Sequence, residues 1–336
     1  MIKEKIFSVP TNIITGFLGV GKTSAILHLL KQKPENERWA VLVNEFGEIG
    51  VDASLIKGCI GDNKNIFIRE VPGGCMCCAS GVPMRITLNQ LLAEAKPHRL
   101  LIEPTGLGHP TEVLHILSNQ YYQDVLQIEK TITLVDARNL NDQRYIEHEI
   151  FNQQLQIADI IVGTKADLYT PKDKALLSNY LQTKAFTPEQ VSFIANGKLQ
   201  LPLLFGSTHY KMTLKTCHIE HKNTKTVSPS PLLKEDYSQA TNQGEGFKSI
   251  GWRFAPHKIF DREKLHSFLM SVNAIRIKAV FITPDGTFGY NTAEDNLIEI
   301  KLDECNESRI EIICDKVIDS WQTNLLKTLL EEQSGY

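Results

Sequence analysis

Three cysteines stand within four residues of one another, at Cys75, Cys77 and Cys78, in the sequence Gly-Gly-Cys-Met-Cys-Cys. Thiolates at this density are soft ligands, which suit zinc and similar metal ions. Cys77 and Cys78 are neighbours whose side chains diverge, so three sulfurs on one ion require a bent loop, and the two preceding glycines permit one. The pattern predicts a zinc site with these three ligands. His109 or Glu48 is the candidate for a fourth ligand.

A second motif suits phosphate chemistry. Residues 16–23 read Gly-Phe-Leu-Gly-Val-Gly-Lys-Thr, which fits the P-loop pattern G-x-x-x-x-G-K-[ST] between an apolar strand and a helix. Backbone N–H groups of such a loop surround phosphate oxygens, and the helix N-terminus adds partial positive charge. We expect Lys22 to reach the β- and γ-phosphates and the Thr23 hydroxyl to hold Mg²⁺, both as catalytic groups. The predicted nucleotide contacts are Gly16, Gly19, Val20, Gly21, Lys22, Thr23 and Ser24.

A carboxylate follows another apolar strand at Glu103, and a glycine comes three residues later at Gly106. This spacing resembles the acidic-x-x-Gly step of GTPases, in which the carboxylate holds Mg²⁺ through water and the glycine amide senses the γ-phosphate. We therefore predict a catalytic role for Glu103 and a nucleotide contact for Gly106. The alternative is a strand that ends in glutamate by chance.

Base recognition is predicted at Thr164, Lys165 and Asp167, which resemble the guanine motif Asn-Lys-x-Asp with threonine in the asparagine position. The Asp167 carboxylate can accept from two N–H donors that guanine presents together and adenine lacks. The aliphatic part of Lys165 can lie along the base. The cofactor predicted by this motif is GTP.

Three further carboxylates, Glu45, Glu48 and Asp52, follow a buried-type strand on the side where α/β folds bind ligands. That position favours contacts with Mg²⁺ or with a transferred metal ion. An exposed acidic loop is the alternative reading of the same residues.

The composition limits the classes of partner. The 336 residues carry a net charge of −3 and a pI near 6.4, which argues against nucleic acid or an anionic membrane surface as the main partner. No apolar run approaches the roughly 18 residues of a membrane helix. Seven cysteines without a visible secretory signal indicate reduced thiols, so the cytoplasm is the expected location. The sequence leaves open whether the chain forms a homo-oligomer.

The order of strand-like and helix-like segments predicts an α/β fold. They alternate up to residue 205, which is typical of a mainly parallel sheet with helices on both faces. Residues 206–246 are rich in Ser, Thr and Pro and predict a linker, and residues 247–336 predict a smaller α+β domain that ends in a helix over 320–331. The strands predicted for the first domain are 13–15, 39–43, 65–68, 99–102, 131–135 and 160–162.

The predicted linker contains a group of potential metal ligands, Cys217, His218 and His221. These residues could form a weak auxiliary metal site. An exposed polar linker explains them equally well.

Taken together, the motifs resemble the CobW/YjiA family of P-loop GTPases, and most of all its zinc-binding YeiR-like branch. They occur in the family order between residues 16 and 167, and the end of the chain from Gly251 and Trp252 resembles the CobW C-terminal domain. The resemblance implies a SIMIBI-type P-loop fold, GTP hydrolysis and delivery of zinc to an apo-metalloprotein client. Because no catalytic glutamine or arginine finger is visible, slow intrinsic hydrolysis is expected.

Two other functions fit the same residues. The protein could be a zinc buffer or sensor in which nucleotide only tunes the affinity for zinc. It could also be a small-molecule kinase or ligase with structural cysteines, although the guanine motif argues against that reading. In the chaperone reading, bound GTP and Mg²⁺ order the acidic loop and the loop after Glu103, and this positions the thiolates for zinc.

Overall fold

The computed structural model describes residues 6–44, 56, 64–71, 82–210, 236–244, 247–293, 296–302, 305 and 307–330. Within these residues the chain forms two compact units, each built around one β-sheet.

The first unit contains a parallel sheet with strand order β3-β2-β4-β1-β6-β7-β8, and β5 pairs with the first half of β1. The inner strands are buried along their length, as expected where both faces of a parallel sheet are covered. The strands are β1 (Val9–Gly16), β2 (Trp39–Val43), β3 (Ile66–Glu70), β4 (Arg99–Glu103), β5 (Leu126–Ile128), β6 (Ile132–Val135), β7 (Ile160–Gly163) and β8 (Gln190–Phe193).

Helices alternate with these strands, as in other α/β folds. Their buried residues are mainly apolar and pack on the sheet. The helices are α1 (Lys22–Lys31), α2 (Val82–Ala95), α3 (Pro110–Leu117), α4 (Gln143–Ile146), α5 (Glu149–Gln156) and α6 (Pro171–Thr183).

The register of the parallel strands brings their carboxyl ends to one edge of the sheet. Val43 pairs with Glu103 across β2 and β4, and Gly16 pairs with Leu134 across β1 and β6. The loops after β1, β4, β6 and β7 therefore emerge at the same edge, where open α/β sheets bind their ligands.

The second unit is an antiparallel sheet with strand order β13-β12-β11-β14-β10-β9. Alternate residues of its strands form a core with two helices around Trp252, Phe254, Phe281 and Trp321. The elements are β9 (Tyr237–Gly244), β10 (Phe247–Phe254), α7 (Arg262–Ser271), β11 (Arg276–Thr283), β12 (Gly286–Ala293), β13 (Asn296–Leu302), β14 (Ser308–Cys314) and α8 (Ser320–Leu326).

The predicted fold class is confirmed: a mainly parallel sheet with helices is followed by a separate antiparallel unit. Each strand predicted for the first domain lies within one residue of an observed strand. No helix in the described ranges is long and apolar enough to cross a membrane.

Two local predictions were wrong. The predicted linker 206–246 contains β9, whose largely polar sequence Tyr-Ser-Gln-Ala-Thr-Asn-Gln-Gly lacks the apolar alternation of a strand but pairs with β10 along its length. The helix predicted over 320–331 ends at Leu326, because Leu329 forms a β-bridge with Phe260.

Candidate functional site

The P-loop joins β1 to α1 at the carboxyl edge of the sheet. Three of its glycines have positive φ angles: 144° at Gly16, 73° at Gly19 and 92° at Gly21. A Cβ atom at Gly16 would lie 2.5 Å from the carbonyl oxygen of Leu134, so only glycine fits there. Gly19 and Gly21 face open space within the described structure. Their conformation suits a loop that presents N–H groups to an anion.

Lys22 begins α1 and is 5% exposed. Its ammonium group donates to the carbonyl oxygens of Gly16 at 2.9 Å and Phe17 at 3.3 Å. These bonds keep the charge inside the curve of the P-loop, where a phosphate ligand of the loop would meet it. Val20 is buried, and Ser24 is exposed on the first turn of α1.

Thr23 and Glu103 meet although they are 80 residues apart. The Thr23 hydroxyl donates to Glu103 Oε1 at 3.2 Å, and Glu103 is 1% exposed at the end of β4. A hydroxyl beside a carboxylate is an oxygen donor set of the kind that Mg²⁺ prefers. The two residues therefore fit a magnesium ion, with Thr23 as the direct ligand and Glu103 able to act through a water molecule.

Gly106 lies against the P-loop. A Cβ atom added to it would lie 3.0 Å from the backbone nitrogen of Leu18 and 3.1 Å from Lys22 Nζ. A larger residue at position 106 would therefore displace the ammonium group of Lys22. The loop after β4 thus lies against the P-loop at Gly106.

Thr164, Lys165 and Asp167 follow β7 at the same edge. Thr164 is buried, and both its N–H and its hydroxyl donate to the carbonyl oxygen of Val135, at 2.8 and 3.3 Å. Lys165 has a left-handed backbone conformation with φ of 55°, and Asp167 is exposed in the following 3-10 turn. The threonine thus joins β6 to β7, while the lysine and the aspartate side chains remain at the surface of the edge.

Sequence reasoning missed Asp136, the residue after β6. It is 1% exposed, forms a two-point ion pair with Arg138 at 2.9 and 2.6 Å, and lies 3.4 Å from Lys165 Nζ. The carboxylate therefore restrains the lysine of the base motif. The available signal was the sequence Leu-Val-Asp, an apolar strand that ends in an acidic residue, as at Glu103.

The loop after β8, residues 194–199, was also missed. Ile194 accepts from the N–H of Ala166 at 3.0 Å, and the carbonyl oxygen of Leu199 lies 2.9 Å from His28 Nδ1 on α1. A Cβ atom at Gly197 would lie 2.9 Å from Ser24 Cβ. This loop contacts both the base motif after β7 and helix α1. The phosphate-binding and base-binding parts of the candidate nucleotide site are therefore held by the same loop.

The predicted metal ligands Cys75, Cys77, Cys78, Glu45, Glu48 and Asp52 lie outside the described residues, as do Cys217, His218 and His221. Within the described ranges, no group of three potential ligands is arranged to hold a metal ion. His109, a candidate fourth ligand, is the residue before α3, and its Nδ1 lies 3.0 Å from Gln153 Oε1.

The glycine-rich loop lies between a central parallel strand and a helix, and the carboxylate on the neighbouring strand contacts the Thr23 hydroxyl. This arrangement defines a P-loop nucleotide-binding protein. More narrowly, the chain belongs to the CobW/HypB/UreG family, whose nucleotide-binding domain matches residues 10–191. The resemblance predicted from the motifs is confirmed.

The chain is similar to two zinc chaperones, one over nearly its full length and one over about three fifths of it. It is 37% identical over 327 residues to the Zinc chaperone YeiR of Escherichia coli K12, covering 95% of this chain and 98% of that protein. It is 30% identical over 210 residues to the Zinc chaperone YjiA of the same strain, covering 61% and 63% of the two chains. The crystal structure of Zn(II)-bound YjiA GTPase from E. coli matches with 18% identity and a TM-score of 0.44, covering 96% and 99%.

Proposed function

We propose that this protein is a zinc-binding GTPase that couples GTP binding and hydrolysis to the binding of zinc and its transfer to an apo-metalloprotein client. One observation carries the nucleotide half: Glu103 at the end of β4 and Gly106 in the loop after it converge on Thr23 and Lys22 of the P-loop. The zinc half is supported by the three clustered cysteines and by the near full-length similarity to a zinc chaperone.

Each side chain has a defined role in this proposal. Lys22 neutralises charge on the β- and γ-phosphates, and Thr23 with Glu103 holds the Mg²⁺ that bound nucleotide brings. Gly106 contributes its N–H to the γ-phosphate, because its backbone lies so close to Leu18 and Lys22 of the P-loop that a Cβ atom would not fit between them. Asp167 accepts from guanine, with Lys165 along the base and Asp136 restraining that lysine.

Hydrolysis is slow in this proposal. The guanidinium of Arg138 is held by Asp136, and the amide of Gln154 donates to the Gly106 carbonyl, so neither is placed to act on an attacking water molecule. A partner such as the client then accelerates turnover. We place this action in the cytoplasm, where thiolates stay reduced.

The division of labour along the chain is part of the proposal. Residues 1–205 carry the GTPase reaction and the zinc ligands, and residues 247–336 form the CobW-like C-terminal domain. The strand β9, which precedes residue 247, pairs with β10 of the second unit.

Two assays with the purified full-length chain test the proposal. Phosphate release should be observed with GTP and should be far slower with ATP, and the chain should bind zinc tightly at neutral pH. Equal turnover of ATP and GTP, or a chain that holds no zinc, contradicts it.

Asp167→Asn is expected to relax the preference for guanine. The amide cannot accept from two N–H donors together, and hydrogen bonds to a charged group contribute about 1.5–3 kcal/mol. The ratio of kcat/KM for GTP to that for ATP should fall roughly 10- to 100-fold. Steady-state kinetics with both nucleotides measure the ratio.

Asp124→Asn is the matched control, because it makes the same chemical change at an exposed residue before β5. It should leave the ratio unchanged. A variant at Asp167 that discriminates between the nucleotides as well as the parent would show that base recognition lies elsewhere.

A further inference from the structure

Two adjacent glutamines of α5 hold the loop that follows β4. Gln154 Nε2 donates to the carbonyl oxygen of Gly106 at 3.1 Å. Gln153 Oε1, which can only accept, lies 3.0 Å from His109 Nδ1, so that nitrogen carries the proton. The same helix thus contacts the loop at the glycine beside the P-loop and at the residue before α3.

Helix α5 is itself firmly placed. The Thr133 hydroxyl of β6 donates to the backbone carbonyl of Gln154 at 2.6 Å. Phe151, one turn earlier, packs edge-to-face against Tyr145 with ring centroids 4.7 Å apart, and Phe17 of the P-loop packs against Tyr145 at the same distance. The helix therefore fixes the position of Gln154 relative to the P-loop.

The side chain of Gln154 is completely buried, and its Oε1 has no hydrogen-bond partner in the described structure. A buried amide oxygen without a partner lowers stability. An apolar side chain of the same length would avoid this cost. The residue thus contributes less to the fold than its burial suggests, and among the described residues the hydrogen bond of its amide is made to Gly106.

We propose that Gln154 is a positioning residue for the γ-phosphate of GTP. By holding the carbonyl of Gly106, it fixes the backbone of that residue against Lys22 and directs the Gly106 N–H at the third phosphate. GDP has no group at that position, so its binding does not depend on Gln154. The inference rests on the proposed function. In it, the buried amide of Gln154 makes the protein bind GTP in preference to GDP.

Gln154→Met separates positioning from folding, because methionine keeps the length of the side chain while removing both the donor and the unpartnered acceptor. In the full-length chain, affinity for a non-hydrolysable GTP analogue should fall about 3- to 10-fold, the loss expected for one hydrogen bond. Affinity for GDP should stay within about twofold of the parent's, and Tm should be equal or higher. Titration with fluorescent forms of the two nucleotides and a thermal melt give these values.

Gln154→Glu supplies a second readout. At neutral pH the glutamate carboxylate would repel the carbonyl oxygen of Gly106. This variant should therefore bind the GTP analogue more weakly than Gln154→Met does. At low pH the protonated acid can donate, so the difference from the parent should narrow as pH falls. Gln156→Met, at an exposed position of the same helix, is the control and should change neither nucleotide affinity nor Tm.

An unchanged affinity of Gln154→Met for the GTP analogue overturns the inference. So does an equal loss for both nucleotides with a lower Tm, which would mark Gln154 as structural only. Both results leave the proposed function intact as long as the parent binds GTP selectively. A parent that binds neither GTP nor GDP overturns the proposed function and this inference with it.

Discussion

Lys22→Ala is expected to reduce GTP hydrolysis by at least about a thousandfold. Loss of a single uncharged donor to a developing negative charge typically costs about 10²–10³ in rate, and a buried ammonium group contributes more. Lys22 is 5% exposed and already points into the curve of the P-loop, where it bonds to Gly16 and Phe17. Phosphate release at saturating GTP is the measurement.

Lys31→Ala is the control for this variant. It removes the same charge at the exposed end of the same helix, nine residues away, and should keep parental turnover. A circular dichroism spectrum that matches the parent's shows that Lys22→Ala is folded. A folded variant with parental turnover would refute the P-loop assignment.

Replacing Cys75, Cys77 and Cys78 together with serine is expected to remove the tight zinc site. Hydroxyls are poor substitutes for thiolates on Zn²⁺, so affinity should fall by several orders of magnitude. In the parent, affinity should decrease as pH falls, because zinc must displace thiol protons and a larger fraction of the thiols carries a proton at low pH. Competition with a chromogenic zinc chelator between about pH 6 and 8.5 covers this range.

Two other cysteines provide the control. Cys314 is 2% exposed in the core of the second unit, where burial raises the pKa of its thiol, so it stays protonated at neutral pH and is a poor ligand. Cys305 donates to the carbonyl oxygen of Glu307 at 3.4 Å. Cys305→Ser and Cys314→Ser should each retain the zinc affinity of the parent. An unchanged zinc stoichiometry in the triple variant would contradict the assignment.

The fold was largely predictable because its signals are local. Continuous apolar runs such as Trp39–Val43 indicate strands buried on both faces, and the P-loop pattern places β1 and α1 without further information. Helix α6 begins at Pro171, and Thr170 before it forms a capping box with Asp173 that is readable from the sequence. Such features depend on neighbouring residues alone.

The strand β9 shows where local signals fail. Its polar sequence lacks the apolar alternation of a strand, and it forms because the long pairing with β10 satisfies its backbone groups. The short strand β8 lies at the edge of its sheet beside β7, so its residues are exposed or half-buried. Edge strands are specified by their partners more than by their own residues.

The candidate site divides in the same way. Lys22, Thr23, Glu103 and Asp167 belong to motifs whose spacing carries the chemistry. Asp136 and Gln154 act through residues distant in sequence, and the contact of Gln154 with Gly106 spans 48 positions. A glutamine on an amphipathic helix carries no functional signal until the sheet brings that helix beside the loop after β4.

The affinity for zinc in three nucleotide states is the most direct test of the central claim. In the proposed mechanism, GTP binding orders the loops and the thiolates together. A non-hydrolysable GTP analogue should then tighten zinc binding about 5- to 150-fold relative to GDP or no nucleotide, which is a coupling free energy of about 1–3 kcal/mol. Zinc should tighten the binding of the analogue by the same factor. Equal zinc affinities in the three states would contradict the transfer switch and leave a nucleotide-independent zinc buffer as the better account.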